Sequence, residues 1–327
     1  MFKLFLTFDC EDFINPKSTS ALLRILEMLH ENNLRGIFFL TSDMCERLQN
    51  YPTVLDMLEG EEVGYHGTSH STHPLIPEYT DTEDRQVAFH TSLDRERAKI
   101  NPLTGAVEGK GGILLLRETF RNKRIISFRA PGFCWSPDHI EALEQLGIRF
   151  DFSTNISQIP ARLGKMTFYP FPEKRYGLKP VIRSILRAGF RSKSDTFPTC
   201  LQYSLLLIHP DYFVNNGLWD SIYFDGNPKR LQRVPSLSVE KTERRLRDFG
   251  LFLKGLRVLV KSSALEVTPE LEDSQYGPHL DQNDAYRVYL RSVMWSRRFF
   301  GYEPKFLRQR FLEYLHSFRP PLHQSTD

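Results

Sequence analysis

Three of the chain's ten histidines, His66, His70 and His73, fall within eight consecutive residues. A divalent cation bound for hydrolysis needs neutral imidazole nitrogens, a carboxylate to complete the set, and open positions for water and substrate. Carboxylates stand near the amino terminus, where Asp9, Glu11 and Asp12 crowd around Cys10. Acids side by side repel unless they are solvated or share a cation and a proton. Taken alone, the histidines read equally as capping or core residues and the acids as a solvated turn. Arg129 ahead of Pro131, and His209 ahead of Pro210, add a cation and a proton carrier elsewhere in the chain.

Residues this far apart meet only if secondary structure delivers them. Residues 2–8 form a short apolar run of β-prone type, the pattern of a strand buried on both faces, and it ends at Asp9. A helix is expected over 21–32, with an apolar stripe of Leu22, Leu23, Ile25, Leu26 and Leu29 and Ser18 and Thr19 as caps. A strand over 36–40, a helix capped by residues 41–43, a second helix over 53–58 and a strand over 62–66 follow. That cadence means parallel βαβ units with right-handed crossovers, whose working residues sit at the carboxyl ends of strands. Asp9 and His66 are at such ends. Were the chain to turn helical after His66, then His66, His70 and, at i+7, His73 would share a face up to Pro74.

The alternation continues with a polar-faced helix over 84–99, a flexible excursion over the glycine-rich stretch 105–112, and a strand over 124–128 running into Arg129. A helix over 139–146, a strand over 148–152 that contains Asp151, and the very apolar strand 203–208 ending at His209 complete it. Six or seven strands fall short of eight, so the expected fold is α/β: an incomplete or distorted (β/α) barrel. From Ser236 onward helices are expected over 240–261, 284–299 and 304–318. The chain divides on this reading into a barrel, 1–236, and a helical C-terminal extension packing on it, 237–327.

With the motifs in place, the chain resembles the polysaccharide deacetylase superfamily (NodB homology, carbohydrate esterase family 4). Thr7-Phe-Asp9-Cys-Glu11-Asp12 is similar to its first motif, Glu62-Val-Gly-Tyr-His66-Gly-Thr-Ser-His70-Ser71 to its second, and Phe128-Arg129-Ala-Pro131-Gly-Phe133 to its third. Phe150-Asp151-Phe-Ser153 resembles the fourth, and Leu207-Ile-His209-Pro210 the fifth. The resemblance implies a NodB-type barrel and a hydrolase acting on carbon–nitrogen bonds, which removes an N-acetyl or N-formyl group from an amino sugar. It implies that His66, His70 and one acid hold a divalent ion, zinc in the first instance. It further implies that Asp9 is the general base, Arg129 its ionic partner, His209 the general acid, and Asp151 the group that orients His209. The turn at Pro131, Gly132 and Phe133 would border the substrate and supply an oxyanion-stabilising N–H. Other readings inside and outside this chemistry are an allantoinase-like hydrolysis of a non-sugar amide and a degenerate carbohydrate-binding member.

This chain departs from the motif where Cys10 replaces the metal-binding aspartate. The metal carboxylate then falls to Glu11 or Asp12, with Cys10 as a soft-ligand alternative, and sequence does not choose among them. His73 is an additional histidine that would touch substrate or metal. Trp135, Tyr212, Trp219 and Tyr223 read either as packing residues or as faces on which a pyranose ring stacks.

Composition narrows the rest. At 327 residues, 40% hydrophobic and 25% charged, with a net charge of +3, the chain has ordinary globular composition and no nucleic-acid signature. Four cysteines without a C-x-x-C pair argue against a zinc ribbon or a disulfide framework. An amino terminus that is itself a core strand leaves no room for a secretory leader, so the expected location is cytoplasmic. Arginines and aromatics crowd the stretch 287–319, either as packed helices with snorkelling arginines or as a basic face for peripheral contact with an anionic membrane.

Overall fold

The computed structural model describes residues 2–70, 72–154, 156, 160–170, 177, 179, 181–185, 203–217, 235–275, 277 and 281–317. Its strands are β1 (Phe2–Cys10), β2 (Ile37–Leu40), β3 (Glu62–Tyr65), β4 (Ala98–Ile100), β5 (Val107–Lys110), β6 (Ser127–Phe128), β7 (Phe150–Asp151), β8 (Ala161–Leu163), β9 (Met166–Phe168), β10 (Tyr203–Ile208) and β11 (Leu265–Val267). Nine of them form one sheet in the order β10-β1-β2-β3-β6-β7-β9-β8, with β11 beside the start of β1. All pairings in it are parallel except the β8–β9 hairpin. Among the described residues β8 and β10 do not close on each other, so this is an incomplete (β/α) barrel, as expected.

Side-chain parity decides what faces where, because successive residues of a strand point to opposite sides. Along β1, Leu4, Leu6, Phe8 and Cys10 join the large core beneath the helices, including the helix Pro16–Glu31. Phe5 instead joins Ile37, Phe39, Phe150, Phe152, Tyr169 and Leu205 in a smaller aromatic-rich core on the inner face. Thr7 and Asp9 continue the inner parity of Phe5, and His209 continues that of Leu205. Gly64 lies on the inner side of β3, where a Cβ would come within 2.6 Å of the Ser127 hydroxyl and closer still to the Phe39 ring. His66, two residues on, therefore enters the same interior.

Several expectations are corrected. The first helix starts at Pro16, not near Ala21, because Asn15 caps it by accepting from the Lys17 N–H and proline suits the first turn. The glycine-rich stretch 105–112 contributes β5 to an antiparallel hairpin with β4. The carboxyl-terminal region is not purely helical: between the helices Val239–Lys261 and Gln282–Ser292 it supplies β11, parallel to β1. Its last helices are Met294–Phe300, separated from Gln282–Ser292 at Val293, and Leu307–His316.

Candidate metal-assisted active site

Arg129 is the centre of the inner site. Its guanidinium is fully buried, donates from Nη1 to Asp9 Oδ1 at 2.6 Å and from Nη2 to Thr7 Oγ1 at 2.9 Å, and lies 4.5 Å from the centre of the Phe39 ring. The Thr7 hydroxyl in turn donates to the Leu206 carbonyl at 2.7 Å, linking Arg129 to the strand that ends at His209. The backbone of Arg129 is also engaged, since its carbonyl accepts from His66 Nδ1 at 2.7 Å. One residue thus orients both the carboxylate of Asp9 and the ring of His66.

That last bond sets the electrostatics. With its proton on Nδ1, a neutral His66 turns the lone pair of Nε2 toward Glu11 Oε2, 3.3 Å away, and His70 Nε2 lies 3.1 Å from the same oxygen. Burial pushes the His66 pKa down despite the nearby Asp9 charge, and burial with neighbouring His66 and His209 pushes His70 well below its ordinary value. The His66 Nε2 and the Glu11 carboxylate converge lone pair to lone pair, an arrangement that repels unless a cation lies between them. One ligand atom each from Glu11, His66 and His70 lies within 4.8 Å of the others. Two imidazole nitrogens and one carboxylate oxygen suit zinc or a similar divalent ion with positions left open.

Asp9 adds the proton acceptor. Oδ1 is held by Arg129, while Oδ2 lies 3.7 Å from His66 Nε2 and 4.0 Å from His209 Nε2. Burial would raise its carboxyl pKa, but Arg129, His66 and His209 outweigh burial and hold it below the ordinary value. His209 is a quarter exposed and is the most open of these groups, whereas Asp9, Glu11, His66 and His70 are buried.

The loop between His66 and His70 is not helical, so the condition for the two rings to share a helical face is not met. Gly67 adopts φ +77°, with Pro131 so close that a Cβ would meet it at 3.0 Å. The N–H groups of Ser42 and Asp43, at the start of the helix Ser42–Leu48, hold the loop instead, donating to the carbonyls of Gly67 and Thr68 at 3.1 and 3.3 Å. His70 returns to the site by this turn, and the two rings stand 5.3 Å apart.

Other sequence-derived candidates lie elsewhere. Asp12 is not part of the convergent ligand set: Oδ1 accepts from the N–H of Ile14 and Asn15, and Oδ2 from Ser18 and Asn215. It ties the first loop to the segment after His209. Cys10 has the helix-facing parity and lies in the large core, outside the convergent ligand set. Asp151 has the parity opposite to its inner-face neighbours Phe150 and Phe152, and pairs in register with Phe128 and Phe168 of the helix-side core. Its two oxygens accept from the Ser153 N–H and hydroxyl, and Ser153 Oγ receives the Ala130 N–H at 2.6 Å. It braces the Arg129–Ala130 backbone rather than orienting His209. Trp135 is buried against Phe311 at 4.7 Å and is a core residue, not a stacking face. His73 pairs with Glu78 at 2.8 Å outside the ligand cluster. Pro131, Gly132 and Phe133 remain half-exposed, but the Phe133 N–H is spent on the Ala130 carbonyl, so the expected backbone donor of this turn falls to Gly132. Trp219 and Tyr223 lie outside the described residues. Thr7 and Asn215 carried no assigned role in the sequence; the parity of Thr7 with Asp9 was the one available signal.

No family model matches the chain, and no curated protein matches it. Solved structures similar to it include peptidoglycan deacetylase PdaC from Bacillus subtilis, 15% identical over 81% of this chain and 86% of that one, with a TM-score of 0.35. A Streptococcus mutans CE4 esterase is 15% identical over 82% and 84%, with a TM-score of 0.39. A mutant CE4 family pseudoenzyme with restored enzymatic activity is 13% identical over 81% of this chain, with a TM-score of 0.36, and the chain spans only 64% of its length. These are likenesses at low identity, and what the site can do rests on its own atoms.

Proposed function

We propose that the chain is a metal-dependent amide hydrolase that removes an N-acetyl or N-formyl group from an amino sugar in a glycan or glycan precursor. The observation that carries the proposal is the convergence of Glu11, His66 and His70 beside an Asp9 carboxylate whose Oδ2 is left facing the site. Glu11, His66 and His70 would hold the ion, which when bound supplies Lewis-acid polarisation of the acyl carbonyl and acidifies water. Asp9 Oδ2 receives the proton of the attacking water, and Arg129 keeps Asp9 ionised and aimed through Oδ1. His209, across from Oδ2 and nearest to solvent, donates a proton to the amine nitrogen as the carbon–nitrogen bond breaks, since an amide nitrogen leaves poorly without one. The products are a carboxylic acid and a free amino sugar. The amide chemistry is supported by the geometry, the amino sugar by the five-motif resemblance. A binding protein has no need of the Asp9–Arg129 pair or of His209, and their retention favours catalysis.

Metal content after purification without chelators, paired with acetate and formate release from N-acylated amino-sugar oligomers, tests the reading. One bound divalent ion per chain and acid release that both disappear in His66→Ala and His70→Ala are expected. Release that persists in metal-free protein would sink the mechanism.

A further inference from the structure

The carboxyl-terminal helices carry a face that neither the site nor the core uses. Within Gln282–Ser292 the buried side is Ala285, Val288, Tyr289 and Ser292, and it packs inward. On the other side Arg287 and Arg291 are exposed one turn apart, and beyond the break at Val293 Met294 and Arg298 are exposed one turn apart on the helix Met294–Phe300. The neighbouring helix Leu307–His316 joins this side, because the Arg308 guanidinium lies 5.0 Å over the Tyr286 ring. Lys305 and Phe306 are exposed just ahead of it. Between residues 284 and 308 six cations stand against two acids, Asp284 and Glu303, which pair with Arg287 and Arg297. Among the described residues Arg291, Lys305 and Arg308 form no ion pair. Set among these charges, Met294 is 42% exposed and Phe306 and Tyr286 each 38%.

We propose that this face docks the protein onto an anionic lipid bilayer. Scattered exposed apolar residues are ordinary on a protein surface, but here a methionine and two aromatics lie among cations with few acids. That is the composition of a helix surface lying in the headgroup region, with cations on lipid phosphates and apolar side chains dipping beneath them. Nucleic-acid phosphate would use the cations and leave Met294 and Phe306 without a role. No described helix is long and apolar enough to cross a membrane, so the contact is peripheral. The face is also bolted to the barrel, at the segment after the helix Ile76–Tyr79 and at the first turn of the helix Pro137–Gln145. Asp81 accepts from the Tyr302 hydroxyl and the Lys305 and Phe306 N–H groups at 2.7 Å each, and from Leu307 N–H at 3.2 Å. Arg310 reaches the Thr80 carbonyl and Asp138. A docked chain therefore holds its site in a fixed relation to the bilayer.

The inference does not depend on the reaction, and co-sedimentation of the full chain with vesicles tests it separately. Binding to phosphatidylcholine vesicles containing phosphatidylglycerol is expected, with little on phosphatidylcholine alone and a decline as salt is raised. The combined variant Arg287→Glu/Arg291→Glu/Arg308→Glu should partition roughly 100-fold more weakly. Met294→Ser/Phe306→Ser should lose the salt-resistant remainder, while Arg244→Glu/Lys254→Glu, exposed on the helix Val239–Lys261, should bind as the parent does. Every position is solvent-exposed, so unchanged melting temperatures will show that each variant folds. Equal binding to neutral vesicles, or undiminished binding by either docking-face variant, overturns the proposal. So does a duplex oligonucleotide that binds through the same arginines and displaces the chain from vesicles.

Discussion

The same sheet buries polar networks on both of its faces, and they are built to opposite ends. On the inner face, Asp9 keeps one oxygen unspent, Glu11 and His66 point lone pairs at each other, and His70 Nε2 lies 3.1 Å from the same Glu11 oxygen. On the helix side, Glu96 receives the Tyr65 hydroxyl on one oxygen and His139 Nε2 on the other, at 2.7 Å. Asp138 is likewise taken on both oxygens, by Arg85 and by the buried Arg310. A buried carboxylate whose acceptors are all met stabilises a structure and has nothing left to give a substrate. One left partly unmet is costly to keep unless a ligand, proton or cation completes it. Between these two networks, spent and unspent oxygens mark scaffold from site more sharply than burial, which both share.

The sharpest way to break this contrast is at the base. Asp9→Asn should lower turnover by ~10²–10⁴-fold while the ion stays bound, as steady-state kinetics and metal analysis together would show. Turnover within tenfold of the parent would remove Asp9 from that role. On the other face, Arg310→Ala leaves Asp138 short of a buried partner and should cost ~3 kcal/mol in urea unfolding, with turnover per folded molecule changed far less. If the folded variant is inactive, the helix-side network belongs to the site after all.

Between the acids of the first loop, Glu11→Gln should abolish stoichiometric metal binding, whereas Asp12→Asn should keep the ion and lose about 1–3 kcal/mol of stability through its bonds to Ile14, Asn15, Ser18 and Asn215. The reverse result would return the ligand to Asp12. A pH-dependent effect concerns Asp151, whose pKa burial raises to about 7 against the hydrogen bonds from Ser153. A carboxyl that keeps its proton longer when folded adds stability below its unfolded pKa and loses it as pH rises through the folded one. Stability should fall between about pH 4 and pH 7 by up to ~4 kcal/mol from this group. Asp151→Asn should flatten that part of the urea-unfolding profile, and a slope that survives it would assign the pH dependence to another group.

Much of the barrel could be read because apolar runs report buried strands directly. β1, β2 and β10 are such runs, and β3 was legible from its place in the strand–helix cadence; their carboxyl ends lead into Asp9, Thr41, His66 and His209. The strands that escaped notice are short ones, β4, β5, β8, β9 and β11, three or four residues each, too brief to show a period and held by their neighbours. The condition for His66 and His70 to share a helical face is not met, because Gly67 takes a left-handed conformation and the carbonyls of the turn are claimed by the helix Ser42–Leu48.

For the site, the sequence by itself determined the residue types, their placement at strand ends and, through the period of two, that Thr7 shares a side with Asp9. Parity is local, so it survives without knowledge of the fold. Which of two adjacent acids points at the histidines is not local. Glu11 and Asp12 differ because Asn215, more than two hundred residues on, and Ser18 capture Asp12 and leave Glu11 to the rings. Trp135 was assigned by Phe311 from the carboxyl-terminal helix, and Asp151 by the strands on either side of it. Those choices belong to tertiary structure, because each is made by a competing partner that becomes a neighbour only when the chain has folded.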